Sequence, residues 1–147
     1  MSGSPYLILL VEDAESDVLL IREALEQAAL AVELHILTDG EEAIEFIAKI
    51  ESDEAAPLPR LVILDLNLPK VSGGQVLARV RQGSRFSPVP VLVLTSSDSP
   101  KDKAQIGQFA ATRYLQKSSR LDEFMSLGPI VRSLLETEDS CSRASAP

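Results

Sequence analysis

The chain has 147 residues, which suits one domain, and 45% of them are apolar, enough for a sizeable core. Its formal net charge of -8 repels phosphate backbones, which argues against nucleic acid as a direct partner. No apolar stretch approaches the ~20 residues of a membrane span, and no signal-peptide pattern opens the sequence. The single cysteine, Cys141, cannot form an intrachain disulfide, so we expect a cytoplasmic protein without membrane contact.

Apolar runs typical of strands alternate five times with patterns typical of helices. In chain order, the predicted strands cover residues 6–11, 32–36, 61–64, 91–94 and 112–116. Each is followed by apolar residues at helical spacing, around 18–28, 43–50, 76–80, 100–108 and 121–136. This alternation of strand and helix predicts crossover connections and a parallel sheet.

The order of the strands can be predicted from their polarity. A strand covered on both faces is a continuous apolar run, whereas a strand at the edge of a sheet can carry polar residues. Strands one, three and four are continuous, while strands two and five are mixed. The order 2-1-3-4-5 satisfies this pattern and predicts an α/β, doubly wound, flavodoxin-like three-layer sandwich.

Two features concern the ends of the chain. The last predicted helix contains Gly128-Pro129, which should kink or break it. Residues 1–5 and 138–147 are polar and are expected to be disordered. The predicted domain therefore spans residues 6–137.

Charged and polar residues stand where four of the predicted strands end. Glu12 and Asp13 follow strand one, Asp65 follows strand three, Thr95 ends strand four and Lys117 ends strand five. In an open parallel sheet these ends share one edge, where ligands bind. Burying an unpaired carboxylate such as that of Asp65 costs several kcal/mol, so a functional reason for its position is expected.

Three neighbouring carboxylates repel one another unless a cation joins them. Mg²⁺ is a hard cation that uses a few carboxylates together with phosphate oxygens and water. An aspartate beside such a metal can act as a nucleophile toward phosphorus, which makes Asp65 the candidate acceptor. Lys117 could neutralise charge on the transferring phosphoryl group, and Thr95 could donate a hydrogen bond to it.

These residues resemble the receiver domain of two-component response regulators over nearly the whole chain. The family's acidic pair is matched in LLVEDAESD, and its phosphorylated aspartate has the family's Pro at plus four and Gly at plus eight. Its hydroxyl residue, lysine and the aromatic three residues before that lysine are also matched. The matching residues are Glu12, Asp13, Asp65, Pro69, Gly73, Thr95 with the small Ser96 after it, Tyr114 and Lys117.

The resemblance implies a single-domain response regulator that accepts a phosphoryl group on Asp65 from a sensor histidine kinase, with Mg²⁺ as cofactor. It implies metal ligation by Glu12, Asp13, Asp65 and the backbone carbonyl of Asn67. Asp65, Lys117 and Thr95 would carry the chemistry, which is limited to the protein's own phosphorylation and dephosphorylation. Thr95 and Tyr114 would form the switch.

The stretches VEDAESDVLLIREAL and DGEEAIEFI resemble more narrowly the stand-alone regulators that serve phytochrome-type histidine kinases. The face expected to change comprises the fourth predicted helix, strand five and the last helix. It carries Ile106, Phe109, Tyr114 and an open strand edge, which suggests a homodimer through this face.

One departure from the family pattern follows the lysine, where Ser118 stands in place of proline. A cis peptide without proline costs ~2.5–4 kcal/mol, which favours a trans bond between Lys117 and Ser118.

Other interpretations remain open from the residues alone. Glu12 and Asp13 could cap the first helix. An aspartyl-nucleophile phosphohydrolase normally has a second aspartate two residues after the first, where this chain has Asn67. A flavin carrier of the same strand order would need hydroxyls in its first loop, where this chain has VEDAESD.

Overall fold

The computed structural model of the protein describes residues 5–96, 104, 113–117 and 120–145, with backbone alone from 137 onward. Its strands are β1 (Tyr6–Val11), β2 (Val32–Leu37), β3 (Leu61–Leu64), β4 (Val91–Thr95) and β5 (Arg113–Gln116). Its helices are α1 (Glu15–Gln27), α2 (Gly40–Glu51), α3 (Gly73–Gln82), α4 (Leu121–Met125) and α5 (Leu127–Ser145). The predicted helix at 100–108, apart from residue 104, lies outside the described residues, as do Ile106, Phe109 and Ser118.

The five strands form one parallel sheet in the order β2-β1-β3-β4-β5, which confirms the predicted fold class and strand order. Burial follows the predicted pattern, because β3 and β4 are buried throughout, whereas the edge strands β2 and β5 contain exposed residues. The register places Val11 beside Leu64 and Leu64 beside Val93. The three central strands therefore reach the same edge of the sheet almost level with one another.

Two apolar layers cover the sheet. On one face, side chains of β1, β3 and β4 pack against α2 and α3, with Phe86 fully buried among them. On the other face, the alternate side chains of the same strands pack against α1, α4 and α5. Strands buried on both faces explain the continuous apolar runs, since each successive side chain enters a different layer.

Local sequence explains where α2 and α3 begin. The Asp39 side chain accepts a hydrogen bond of 2.8 Å from the backbone N–H of Glu42, which caps the start of α2. Ser72 and Gln75 form a reciprocal capping box at the start of α3.

The predicted interruption of the last helix is present but falls at Ser126, between α4 and α5. Pro129 then lies in the first turn of α5, where its missing N–H has no helical partner to lose. A Cβ at Gly128 would lie 2.5 Å from the carbonyl oxygen of Ala24, so glycine allows α5 to approach α1. The backbone remains helical to Ser145, beyond residue 137. Among the described residues, no helix has both the length and the apolarity needed to cross a membrane.

A carboxylate fixes the end of α2 to the loop before β4. Glu51 accepts hydrogen bonds from the backbone N–H groups of Arg85 and Phe86 and from the hydroxyl of Ser84. Burial raises the pKa of Glu51, but these hydrogen bonds outweigh it and hold the pKa below its usual value. The Arg85 guanidinium in turn donates to carbonyl oxygens at the end of α2 and just beyond it.

Candidate functional site

The hydrogen-bond ladder of the sheet continues into the predicted site. The backbone N–H of Asp65 donates to Val11 at 3.1 Å, and that of Lys117 donates to Thr95 at 2.8 Å. The N–H of Glu12 donates to the last residue of β2 at 3.0 Å. The backbone of these residues is therefore held as firmly as a strand, although their side chains stand at the open edge of the sheet.

Three of the predicted residues are buried although they are polar. Glu12 is 1% exposed, Asp65 is 4% exposed and Thr95 is fully buried. Buried carboxylates need compensating charges or hydrogen bonds, because desolvation otherwise costs several kcal/mol. Each of the two carboxylates has such partners on both of its oxygens.

Lys117 brings the carboxylates together. Its Nζ lies 2.8 Å from Glu12 Oε1, 3.0 Å from Asp65 Oδ2 and 2.6 Å from Asp17 Oδ2. The lysine side chain is only 11% exposed. Burial lowers the pKa of Lys117, but the hydrogen bonds to Asp17, Glu12 and Asp65 outweigh it and raise the pKa above its usual value. The ammonium is therefore charged at neutral pH.

The surroundings of Glu12 favour its neutral form, whereas those of Lys117 favour the charged form. Burial raises its pKa to about 7 from an ordinary 4.5, the hydrogen bond from Lys117 works against that rise, and the charge of Asp65 adds to it. Its second oxygen, Oε2, accepts a hydrogen bond of 3.1 Å from the N–H of Ala14. Near neutral pH this carboxyl can therefore exchange a proton for a cation.

The carboxylate of Asp65 is oriented by two donors. Its Oδ1 accepts from the backbone N–H of Asn67 at 3.0 Å, and its Oδ2 faces Lys117. The Asn67 side-chain amide donates to the hydroxyl oxygen of Thr95 at 3.4 Å, which links the loop after β3 to the end of β4. An amide at this place cannot supply the acid proton that an aspartyl phosphohydrolase needs.

The loop after Asp65 is a tight turn. The N–H of Val71 donates to the carbonyl oxygen of Pro69 at 2.8 Å across Lys70, whose φ of 68° is rare for a residue with a side chain. Gly40 packs against this turn, since a Cβ there would lie 2.0 Å from Val71 O. A Cβ at Gly73 would lie 2.3 Å from the carbonyl oxygen of Asp65. Two glycines therefore hold the loop close against the site.

The acidic residues fit a divalent cation. One oxygen from each of Glu12, Asp13 and Asp65 lies within 4.8 Å of the others, and Asp13 is exposed while the other two are buried. Carboxylate oxygens are the ligands that Mg²⁺ and similar hard cations prefer, and the exposed side leaves room for water. The alternative that these acids cap α1 is not supported, because its N-cap is Ala14 and makes no side-chain capping bond.

The structure thus brings Glu12, Asp13, Asp65 and Lys117 together, with Thr95 reached through Asn67. Tyr114 lies further along. It is half-buried, packs against the layer that includes α2 and α3, and pairs with Val93 in the sheet. Because side chains two apart on a strand share a face, Tyr114 is on the same face of the sheet as Thr95.

Sequence reasoning missed Asp17, which makes the shortest contact to Lys117. Asp17 lies in the first turn of α1, four residues after Asp13. That spacing is one helical turn, so an acid there could have been placed above the same edge of the sheet. Acidic residues are also common in the first turn of a helix, which masks this signal.

Comparison with known proteins agrees with this geometry. The profile of the response regulator receiver domain matches residues 8–127. The chain therefore belongs to the response regulator receiver domain family, whose members act in two-component signalling. This confirms the resemblance drawn from the acidic pair, Asp65, Thr95 and Lys117.

Individual relatives cover nearly the full chain. Response regulator Rcp1 of a Synechocystis species is 38% identical over 137 residues, which are 92% of this chain and 93% of that protein. A crystal structure of the Mn²⁺-bound form of response regulator Rcp1 has a TM-score of 0.77 at 37% identity and covers 88% of this chain and 93% of its own. The phosphorylated cyanobacterial phytochrome response regulator RcpA has a TM-score of 0.82 at 32% identity, over 91% and 96% of the two chains.

Proposed function

We propose that this receiver domain accepts a phosphoryl group on Asp65 from a sensor histidine kinase, in a reaction that depends on Mg²⁺. The observation that carries the proposal is the buried Asp65 carboxylate, which is held between Lys117 and the Asn67 N–H beside two further acids. A carboxylate fixed in this way has little conformational freedom left to lose when it attacks phosphorus. A structural role alone would not require so many charges at one edge of the sheet.

Each residue has a defined part in this reaction. A carboxylate oxygen of Asp65 forms a bond to phosphorus as the bond between phosphorus and its donor breaks, and the donor leaves with the electron pair. Lys117 neutralises negative charge on the phosphoryl oxygens, and the Thr95 hydroxyl donates a hydrogen bond to one of them. A divalent cation held by Glu12, Asp13, Asp65 and the Asn67 carbonyl would supply further charge neutralisation.

The acceptor is tested with a small phosphodonor. The protein is incubated with acetyl phosphate and Mg²⁺, and the intact mass is measured. We expect one added phosphoryl group, no addition with EDTA present, and none in Asp65→Asn. The matched control is Asp53→Asn, because Asp53 is an exposed aspartate whose carboxylate accepts from the nearby N–H of Ala55. Labelling of Asp65→Asn at wild-type stoichiometry would contradict the proposal.

The kinase is proposed to be of the phytochrome type. Support comes from the likeness to RcpA, which is a phytochrome response regulator, and from the match to Rcp1 over nearly its full length. Phosphotransfer from an autophosphorylated phytochrome-type kinase should be faster than from a histidine kinase of another class. Equal rates from the two kinases would argue against this partner.

A switch between Thr95 and Tyr114 is proposed to report phosphorylation. A phosphoryl group on Asp65 would draw the Thr95 hydroxyl toward it, and Tyr114 would occupy the space left on the same face of the sheet. Binding of beryllofluoride, a phosphoryl mimic, should change hydrogen exchange between residues 96 and 117. Identical exchange in this range with and without beryllofluoride would refute the switch.

Output is proposed to run through a homodimer. β5 lies at the edge of the sheet and contributes the half-buried Tyr114 to the face expected from the fourth predicted helix, strand five and the last helix. If phosphorylation tightens the dimer, dimerisation must favour the phosphorylated conformation by the same free energy. Sedimentation at several concentrations with and without beryllofluoride tests this, and a monomer in both states would leave a different protein as the reader.

A further inference from the structure

Lys117 has three carboxylate partners, and one of them differs from the other two. Glu12 and Asp65 belong to the acidic group whose oxygens lie within 4.8 Å of one another, together with Asp13. Asp17 is not part of that group, yet its contact of 2.6 Å is the shortest of the three. The lysine is thus tied both to the candidate metal ligands and to one acid outside them.

In the two candidate metal ligands that contact Lys117 (Glu12 and Asp65), each carboxylate oxygen already has a partner. Glu12 uses Oε2 for the N–H of Ala14 and Oε1 for Lys117. Asp65 uses Oδ1 for the N–H of Asn67 and Oδ2 for Lys117. A divalent cation that binds these carboxylates therefore competes with the ammonium for the same oxygens and also repels it. Of the three contacts to Lys117, only that of Asp17 escapes the competition.

Asp17 is well placed to keep hold of the lysine. It lies in the first turn of α1, and this helix packs against the sheet through Ile21, Ala24 and Leu25. Its carboxylate is 24% exposed and meets a lysine that is 11% exposed. A charge-assisted hydrogen bond shielded from water in this way is stronger than one at the surface.

A purely structural alternative is that Asp17 only stabilises α1. Acidic residues near a helix N-terminus interact favourably with the helix dipole. Glu15 lies in the same turn and is exposed, so it shares that effect without contacting Lys117. The pair therefore provides a matched comparison of one acid that touches the lysine and one that does not.

We propose that Asp17 is a positioning residue for Lys117, holding the ammonium beside Asp65 while a divalent cation binds the carboxylates of Glu12, Asp13 and Asp65. This inference rests on the proposed phosphoryl transfer to Asp65. Loss of the Asp17 charge should leave the ammonium free to move away once the cation binds. Phosphorylation at saturating Mg²⁺ should then slow, because the charge that stabilises the phosphoryl group is no longer in place.

The experiment follows the ammonium itself. The side-chain ¹⁵N signal of Lys117 is observed by NMR with and without Mg²⁺ and is assigned by its absence from Lys117→Arg. In the wild type and in Glu15→Gln, we expect the protected ammonium signal to persist when Mg²⁺ is added. In Asp17→Asn it should disappear on addition of Mg²⁺, and in Asp17→Glu it should be retained.

The rate of phosphorylation by acetyl phosphate at saturating Mg²⁺ gives the second readout. We expect it to fall about tenfold in Asp17→Asn, the effect of losing one charge-assisted hydrogen bond, and to recover in Asp17→Glu. Glu15→Gln should retain the wild-type rate.

Three results would overturn the inference. They are an unchanged Lys117 signal in Asp17→Asn with Mg²⁺, an equal loss of signal in Glu15→Gln, and no protected signal in the metal-free wild type. A wild type that is never phosphorylated would instead refute the proposed function, and the NMR comparison would still decide the role of Asp17.

Discussion

Replacing Glu12 with glutamine should reveal how much free energy of unfolding the protein loses by keeping a carboxylate at this site. Glu12 is 1% exposed, and burial raises its pKa to about 7 from an ordinary 4.5, with the Lys117 hydrogen bond opposing and the Asp65 charge adding to the rise. Between these two values the folded protein holds a proton that the unfolded chain has released. The free energy of unfolding contributed by this group therefore falls as pH rises, and the loss is complete above about pH 7.

The size of the effect follows from the two pKa values. Each unit of difference corresponds to about 1.4 kcal/mol, and integrating between about pH 5 and pH 8 gives a loss of about 2–3 kcal/mol for the wild type. Glutamine at position 12 keeps an acceptor for Lys117 and does not titrate. Glu12→Gln should therefore gain about 2–3 kcal/mol in the free energy of unfolding relative to the wild type over the same pH range.

The assay is urea unfolding of both proteins across this range with EDTA present, so that no cation offsets the charge. Subtracting the two curves removes the contribution of the other carboxyl groups. Glu23→Gln is the matched control, because Glu23 is an exposed acid in α1, and it should track the wild type. A difference between Glu12→Gln and the wild type that is independent of pH, or that shrinks as pH rises, would refute the reasoning.

Substitutions at three further positions test contacts of the fold by the free energy of unfolding. Gly40→Ala should destabilise by about 2 kcal/mol or more, since its Cβ would lie 2.0 Å from Val71 O; loss below 0.5 kcal/mol would contradict the contact. Lys70→Gly should exceed Lys70→Ala in stability by about 1 kcal/mol because φ is 68°, and the reverse order would show that the turn relaxes. Glu51→Gln should lower the free energy of unfolding by about 1–3 kcal/mol at neutral pH and by less in acid. The pKa of Glu51 is lowered in the folded protein, so the stability that its carboxylate contributes disappears as pH falls. An equal loss of stability at all pH values would show that the charge of the Glu51 carboxylate is not responsible.

The order of strands in the sheet could be predicted because the polarity of a strand's residues reflects how far the strand is buried. Residues 61–64 and 91–94 are continuous apolar runs, and both lie inside the sheet with apolar layers on each face. The mixed polarity of residues 32–36 predicted that β2 is an edge strand, and the side chains of Glu33 and His35 are exposed there. The edge occupied by Glu12 and Asp65 then followed from the parallel direction of the strands.

Other parts of the site depend on distances that sequence patterns do not contain. The contact between Asp17 and Lys117 joins residues 100 positions apart, and only the packing of α1 against the sheet brings them together. The raised pKa of Glu12 depends on its burial, and two adjacent acidic residues, Glu12 and Asp13, do not indicate burial in a sequence. The break in the last predicted helix falls at Ser126 and not at Gly128-Pro129, because the glycine contacts α1 and proline fits the first turn of a helix.

The most direct test of the central claim is to locate the phosphoryl group by chemistry. The protein is incubated with acetyl phosphate and Mg²⁺ and then treated with borohydride, which reduces an aspartyl phosphate to homoserine, and its peptides are sequenced by mass spectrometry. We expect homoserine at position 65 alone, with Asp13, Asp17 and Glu12 unmodified, and no conversion when EDTA is present. Conversion at another acid, or none at position 65 under conditions that add one phosphoryl group to the intact protein, would contradict Asp65 as the acceptor.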